Sequence, residues 1–306
     1  MPHRLPILTL CVLFALLLSA CSSTPTDTEQ AAAGPCDRTC LEQIMSTYLD
    51  ALVAHDPGRL PVSETVRFTE DTRELQIGQG IWETIESLGS YRQDILDPEW
   101  GIAGAQVVVN ELTDDTANGE THPVLLAIRL KVEDHLITEI ETTAVRNKDE
   151  GMIFVPDNLT FATKAMNAPI PEGQRDTRDQ MIAIATKYPE GLKIGSFVEA
   201  GTEFADEAYR FENGEFMAGP ECTIFPGCDN IKTQGLPTLS EITYRVAAVD
   251  EAAGIVWLRM NFGARSTFNA ETSLSVWEAF KVYDDRIQAV EAFMEQVPYG
   301  TPDGWE

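Results

Sequence analysis

The sequence predicts an α+β protein made of two tandem copies of one unit. Three repeated blocks carry this reading. An amphipathic stretch beginning at Leu41 returns 140 residues later, a short strand motif around Arg67 returns around Arg210, and a closing strand pair returns at an offset of 150. Each block is weak by itself, but the order is the same in both halves. Within each half it runs helix, short edge strand, then long strands joined by hairpin turns.

The chain begins with a segment that the fold does not need. Arg4 precedes an apolar run over residues 5–18, too short for a comfortable membrane span but suited to the core of an export signal. The run ends Leu18-Ser19-Ala20-Cys21, which resembles the cleavage and lipidation motif of bacterial lipoproteins. The resemblance implies a signal peptide over 1–20, cleavage before Cys21 and diacylation of its sulfur. Ser22 after the lipidated cysteine implies sorting to the outer membrane, facing the periplasm. Residues 21–35 are small, polar and aperiodic, a flexible tether between lipid and domain.

Four cysteines remain in two close pairs, Cys36 with Cys40 and Cys222 with Cys228. In an exported chain an even number favours disulfides. The Pro-Gly turn between Cys222 and Cys228 makes that bridge the easier local one, and a crossed arrangement of the two pairs stays open. Neither spacing is Cys-x-x-Cys and no histidine is close in sequence, so no metal site is expected.

Leu41, Ile44, Met45, Tyr48, Leu49 and Leu52 define the first helix by their three- and four-residue spacing. Their counterparts are Met181, Ile184, Ala185, Tyr188 and Leu192. The strand motif Arg67-Phe68 pairs with Arg210-Phe211, which places Glu212 near the position of Glu70. Leu130-Lys131-Val132 followed by 137–141 pairs with Phe280-Lys281-Val282 followed by 287–291, so Glu291 repeats Glu141. Asn213-Gly214 and the stretch 250–254 mark hairpin turns in the second half. The drift in offset is assigned to a cysteine-containing insertion there.

A helix followed by a curved antiparallel sheet ending in Lys281-Val282, Ile287 and Glu291 resembles the nuclear transport factor 2-like superfamily. That group includes the SnoaL-like polyketide cyclases. The first half also resembles a bacterial and fungal domain family of unknown function. The residues carrying this likeness are Tyr48 to Leu52, His55-Asp56-Pro57, Arg67 to Glu70, Gly78 to Trp82 and Ile137 to Glu141. Asp71 stands where that family commonly has asparagine. The resemblance implies two tandem cone-shaped domains over 36–150 and 175–300, joined by a crossover linker over 151–174 and followed by a tail over 301–306. Each cone would hold N-terminal helices on a bent sheet around an apolar pocket. Single-domain members pair through their outer sheet faces, so the two halves here are expected to pair within one chain as a monomer with an internal pseudo-twofold axis.

Candidate catalytic residues are Glu70, Asp94 and Glu141, carboxylates that a dry cavity would turn into acids or bases. Tyr48, Tyr91, Trp82 and Arg129 are the candidate ligand-binding residues. Each has a plainer reading. Glu70 with Arg67 makes a strut between helix and sheet, Glu139 and Glu141 alternate on one strand face, and Arg92 with Asp94 form a surface pair. His55-Asp56 reads as a proton shuttle or, more plainly, as a helix end followed by a cap.

Other patterns exclude themselves. Residues 114–120 begin like a calcium loop but lack its closing glutamate, because position twelve is Leu125. Asn158-Leu159-Thr160 has the form of a glycosylation site, without meaning in a bacterial cell. No phosphate loop, nucleophile elbow or zinc-protease motif occurs, and His55, His122 and His135 are scattered, so no cofactor is expected. A net charge of -27, or -28 once Arg4 is removed with the signal, excludes nucleic acid and a polybasic lipid grip. Mean hydropathy of -0.14 speaks against a disordered acidic chain. Two functions remain: a lipid-anchored protein that binds a small molecule or an envelope partner without turnover, or a cofactor-free lyase, dehydratase or isomerase for a small, partly apolar hydroxylated molecule.

Overall fold

The computed structural model describes residues 1, 3, 34–112, 119–159, 164–239, 241–263 and 271–305. Cys21, nearly all of the expected signal and most of the tether lie outside the described residues. A compact unit runs from Pro35 to Glu306. Among the described residues no helix is long and apolar enough to cross a membrane.

The first helix, α1 (Arg38–Val53), starts at Asp37, whose carboxylate accepts the Cys40 amide at 2.9 Å. It buries Leu41, Met45, Tyr48, Leu49 and Leu52, the stripe its spacing predicts. The helix ends in Ala54, and His55 turns into a positive φ of 50°. The His55 ring bonds the Trp82 carbonyl, while Asp56 caps the next turn through the Gly58 amide. The two side chains diverge to separate partners, so the plainer reading of His55-Asp56 holds.

Six strands follow: β1 (Val62–Glu70), β2 (Arg73–Leu75), then after helix α2 (Ile81–Thr84) β3 (Ile85–Asp97), β4 (Ile102–Leu112), β5 (Thr121–Glu133) and β6 (Leu136–Val145). They form one sheet in the order β2-β1-β6-β5-β4-β3. β1 is not an edge strand as expected: β2 takes the edge, and β1 runs parallel to β6, with Phe68 opposite Ile140. The sheet is therefore mixed.

After the short helix α3 (Lys148–Gly151) and the crossover, the architecture repeats. Helices α4 (Arg178–Ala185), α5 (Lys187–Ile194) and α6 (Phe197–Ala200) precede β7 (Phe204–Glu212), β8 (Glu215–Ala218), β9 (Ile242–Asp250), β10 (Ile255–Phe262), β11 (Thr272–Tyr283) and β12 (Arg286–Pro298). Their order, β8-β7-β12-β11-β10-β9, reproduces the first sheet strand for strand. The fold is thus α+β with two tandem domains. Where the first domain has a single helix, the second has α4 and α5, because Pro189 has no N–H with which to continue the ladder across Thr186. Both cysteine pairs are bridged locally, Cys36 to Cys40 and Cys222 to Cys228. The second bridge lies in the insertion between β8 and β9.

The register corrects one predicted equivalence. Thr69 lies opposite Glu141 and Phe211 lies opposite Glu291, so Glu212 takes the place of Glu70 while Arg210 takes that of Phe68, not Arg67. Because side chains alternate along a strand, a slip of one residue exchanges inside for outside. Arg67 accordingly lies on the outer face, 4.2 Å above the ring of Trp305 and bonded to the Gly304 carbonyl. Arg210 points into the second core.

Each sheet covers its own helices with one apolar core, and a third core lies between the outer faces of the two sheets. There Trp257 rests on Trp277 with ring centroids 4.2 Å apart, and Gly104 leaves room for the indole: a Cβ at that position would come within 2.7 Å of Trp257. Leu159 and Met166 of the crossover add to this core. The outer faces therefore pair within the chain, as the repeat implied. Two aspartates at the ends of β3 and β9 clamp the pair reciprocally. Asp97 accepts the Val249 amide and Arg178, while Asp250 accepts the Leu96 amide and Arg38. The C-terminal tail returns to the first domain, where Trp305 donates to Thr69 Oγ1 at 2.9 Å.

Candidate functional site

The predicted site residues separate into three places. Tyr48, Trp82 and Glu70 converge inside the first domain. Asp94 lies with Arg92 in a groove between the domains, and Glu141, Arg129 and Tyr91 are buried or nearly buried where the two sheets meet.

In the first domain Tyr48 meets Trp82 edge-on, 5.5 Å between centroids, beneath α1. The apolar interior expected to be a pocket is filled here by these two rings and Phe68. Glu70 closes the end of β1 beside them. Both its oxygens accept the Ile81 amide, at 3.0 and 3.2 Å, so the carboxylate caps α2. Gly80 passes so close that a Cβ there would fall 2.6 Å from Glu70 Oε1. Burial pushes the Glu70 carboxyl up to about 7, with the charge of Asp71 adding to the shift and the Ile81 amide and Arg146 opposing it. Burial and then the charge of Glu70 hold the Tyr48 phenol protonated.

On the other side of Gly80 opens a cavity of about 610 Å³, lined among others by Thr84, Glu111, His122, Arg146 and Glu150. The strand ends and α3 position these groups. Arg146, just past β6, grips Glu111 at the end of β4 with two nitrogens, at 2.8 and 3.2 Å. Its guanidinium also lies 3.5 Å from Glu70, and Thr84 donates to Glu111 at 2.6 Å. His122 approaches Glu111 to 3.6 Å. The rim thus presents two carboxylates, an imidazole and a guanidinium to one polar space, with a third carboxylate behind the Gly80 backbone. Such a set can orient a ligand rich in hydrogen-bond donors, and Glu70, raised to about 7, can hold or release a proton near neutrality behind it.

The second cavity, also about 610 Å³, lies between the domains and is lined by Arg38, Glu42, Arg92, Asp94 and Lys281, among others. Asp94 is fixed by two bonds from Arg92 at 2.7 and 2.8 Å, the surface pair of the plainer reading. Lys281 at its floor gives its protons to the Met166, Ala168 and Ala253 carbonyls. All three of those bonds hold the crossover and a hairpin in place, which makes Lys281 a structural tie.

At the sheet–sheet interface Glu141 meets Arg245 at 2.5 Å, Arg259 at 3.6 Å and Arg129 at 3.8 Å. Among the described residues its counterpart Glu291 accepts the Tyr91 hydroxyl alone, at 2.7 Å. These residues bind one domain to the other and line neither cavity.

The second domain places charge where the first has a filled apolar core. Arg210 bonds the Tyr188 hydroxyl at 3.0 Å and Glu212 at 2.8 Å, and its charge restrains the wholly buried Glu278, which burial raises to about 8. Sequence reasoning missed Glu111, His122 and Arg146 as site residues, and in the second cluster it named Arg210, Glu212 and Tyr188 but not Glu278. Glu111 and Arg146 follow apolar strand runs, and that position at two strand ends was the only local signal.

A family described as "Domain of unknown function (DUF8021)" matches residues 174–294, the second domain and not the first half, where the likeness was expected. No curated protein matches the chain. Among similar solved structures is a candidate polyketide cyclase from Xanthomonas campestris, 19% identical, covering 35% of this chain and 90% of that one with a TM-score of 0.29. Another is a nuclear transport factor 2-like protein of unknown function from Cytophaga hutchinsonii, 9% identical, covering 35% and 98% with a TM-score of 0.25. A candidate isomerase from Bacillus subtilis is 10% identical, covering 35% and 87% with a TM-score of 0.28.

Proposed function

We propose that this is a lipid-anchored protein of the cell envelope, a monomer formed from two copies of a nuclear transport factor 2-like unit, whose first domain binds a small polar molecule without turning it over. The polar cavity built around the Glu111–Arg146 pair carries the binding reading. Its size suits a small ligand, and its exposed donors and acceptors favour a hydroxylated or amine-bearing compound over the more apolar one the sequence led us to expect. The filled apolar interior beside Tyr48 and Trp82 supports the same revision.

The test is a thermal-shift screen of polyols, amines and hydroxylated acids, followed by calorimetry on the hits. Arg146→Ala and His122→Ala should each weaken a hit at least tenfold, about 1.4 kcal/mol or more, while Arg92→Ala in the other groove leaves it unchanged. Loss of binding in Arg92→Ala alone would move the site to the groove between the domains. The enzyme reading keeps one specific support, the carboxyl of Glu70 held near neutrality behind Gly80. If a bound compound is converted by the native protein and not by Glu70→Gln, the protein is a cofactor-free lyase, dehydratase or isomerase.

The anchor rests on Arg4, the apolar run and Ser19-Ala20-Cys21. Cys21→Ala should abolish acylation and move the protein from the membrane fraction to the soluble one, read by labelled fatty acid and fractionation. Retained label would refute the assignment of Cys21.

A further inference from the structure

The corner that begins the first domain holds a cluster that neither proposed function uses. Cys40 Sγ lies 3.3 Å from His135 Nδ1, although 95 residues separate them. With Cys36 they offer two sulfurs and a ring nitrogen, all within 4.8 Å of one another. Cys36 and Cys40 flank the start of α1, and His135 sits at the tip of the β5–β6 hairpin in a left-handed turn with φ of 64°. Cys36 is buried, whereas Cys40 and His135 are only partly so. The corner is therefore reachable from solvent.

The second domain shows what this corner needs for its fold alone. There Asp176 stands one residue before the helix cap, as Cys36 does in the first domain, and Asp285 occupies the turn position of His135. The Asp176 carboxylate simply accepts the Asp285 amide, at 3.1 and 3.3 Å. A single carboxylate thus fastens hairpin to helix start. The sulfurs and imidazole of the first domain exceed that requirement, and their donor set is the one that thiophilic metal ions select.

We propose that Cys36, Cys40 and His135 form a redox-gated zinc site. In the disulfide form both sulfurs are bonded to each other and the site is shut. A dithiol donor opens it by exchange. One donor thiolate attacks a protein sulfur and forms a mixed disulfide, the second donor thiol resolves it, and the donor leaves as its own disulfide while two protein thiols are left. Zn2+ then displaces the two thiol protons. The two thiolates neutralise its charge, His135 Nδ1 supplies the third donor, and a fourth position stays open to water. Tetrahedral zinc with bonds of about 2.3 Å to sulfur and about 2.0 Å to nitrogen places its ligand atoms roughly 3.5–3.8 Å apart. The sulfur–nitrogen distance already lies near that range. That distance is the one from Cys40; the two sulfurs must separate by rotation of side chains at a helix start, and Cys36 Sγ, within 4.8 Å of the ring nitrogen, must settle at the same ligand spacing.

The test uses the whole chain, reduced with a phosphine under anaerobic conditions and titrated with Zn2+ against a chromophoric chelator. Co2+ serves as an optical stand-in, because zinc itself is spectroscopically silent. The reduced protein should bind one Zn2+ per chain, and the oxidised protein none at this site. Cys36→Ser with Cys40→Ser should abolish binding, and Cys222→Ser with Cys228→Ser should preserve it. His135→Ala is the decisive variant, since it retains both cysteines and the native disulfide. It should weaken zinc at least tenfold and change the Co2+ spectrum. Unchanged affinity in His135→Ala, no zinc on reduction, or binding that follows Cys222 and Cys228 instead would each overturn the proposal.

Discussion

Asp97→Ala should lose about 3–5 kcal/mol of stability, the cost of leaving one member of a buried ion pair without its partner. Asp97 is fully buried and accepts four hydrogen bonds. Two come from Arg178, at 2.6 and 3.1 Å, one from the Val249 amide across the interface, at 2.8 Å, and one from the Trp100 amide of its own turn, at 3.1 Å. Truncation strands two amides and takes from the Arg178 guanidinium its nearest carboxylate, leaving Glu99 and Glu251 farther off at 3.6 and 3.7 Å, and each unmet group carries its own desolvation cost. Asp250 makes the mirrored set with Arg38, the Leu96 amide and the Ala253 amide. Because each aspartate holds the first helical residue of the other domain, the loss should appear as a lower midpoint for the whole chain and not as a separate early transition of one domain. Asp94→Asn, in the groove nearby, should change stability by no more than about 0.5 kcal/mol. Urea unfolding followed by tryptophan fluorescence separates these outcomes, and a loss below about 1 kcal/mol for Asp97→Ala would deny the clamp its role.

The reciprocal clamp was invisible in sequence, although the repeat that generates it was not. The stripe of α1 and the hairpin turn at Asn213-Gly214 follow from local spacing and turn chemistry, whereas the place of β1 between β2 and β6, parallel to β6, is a non-local pairing that the expected edge strand did not anticipate. Arg210 shows where such reading ends. An alignment one residue out of register looks equally good in letters, yet it moves the arginine from the outer face to the core. The cavity residues were lost for a related reason. Glu111 and Arg146 are 35 residues apart, Glu141 and Arg245 are 104 apart, and nothing in either segment marks its partner. A carboxylate at a strand end is the commonest of surface features until the fold supplies an arginine. Sequence alone reads Glu141 as a pocket carboxylate or as part of a solvated strand face, and its strand face is instead buried at the domain interface. Asp71 stands where the resembling family commonly has asparagine, yet it still accepts a backbone amide, that of Ala144 at 2.9 Å, as Asn213 does from Met294.

The same interface should make the protein more stable at pH 5 than at pH 8. Burial raises the carboxyl of Glu291 from 4.5 to about 7, and only the Tyr91 hydroxyl opposes the shift. Glu70 is raised to about 7 and Glu278 to about 8, in both cases first by burial, and Glu295 is raised by burial and by the charge of Asp71. Between about 4.5 and 7 the folded chain therefore binds more protons at Glu291 than the unfolded chain, so stability falls as the pH rises through that window and levels off above it. For Glu291 alone the full effect is on the order of 3 kcal/mol. General charge repulsion in a chain of net charge -27 pushes in the same direction and adds to the wild-type slope. Glu291→Gln isolates the interface contribution, because its amide oxygen still accepts from Tyr91 and nothing ionises. The variant should lose a little stability at pH 5, where an amide donor is left without a partner, and gain relative to the native protein at pH 8. Its change in midpoint between the two should be clearly smaller. Equal slopes for the two proteins would show that Glu291 is already ionised in the folded state at pH 5, and would leave Tyr91 facing a charge that the apolar interface had tolerated.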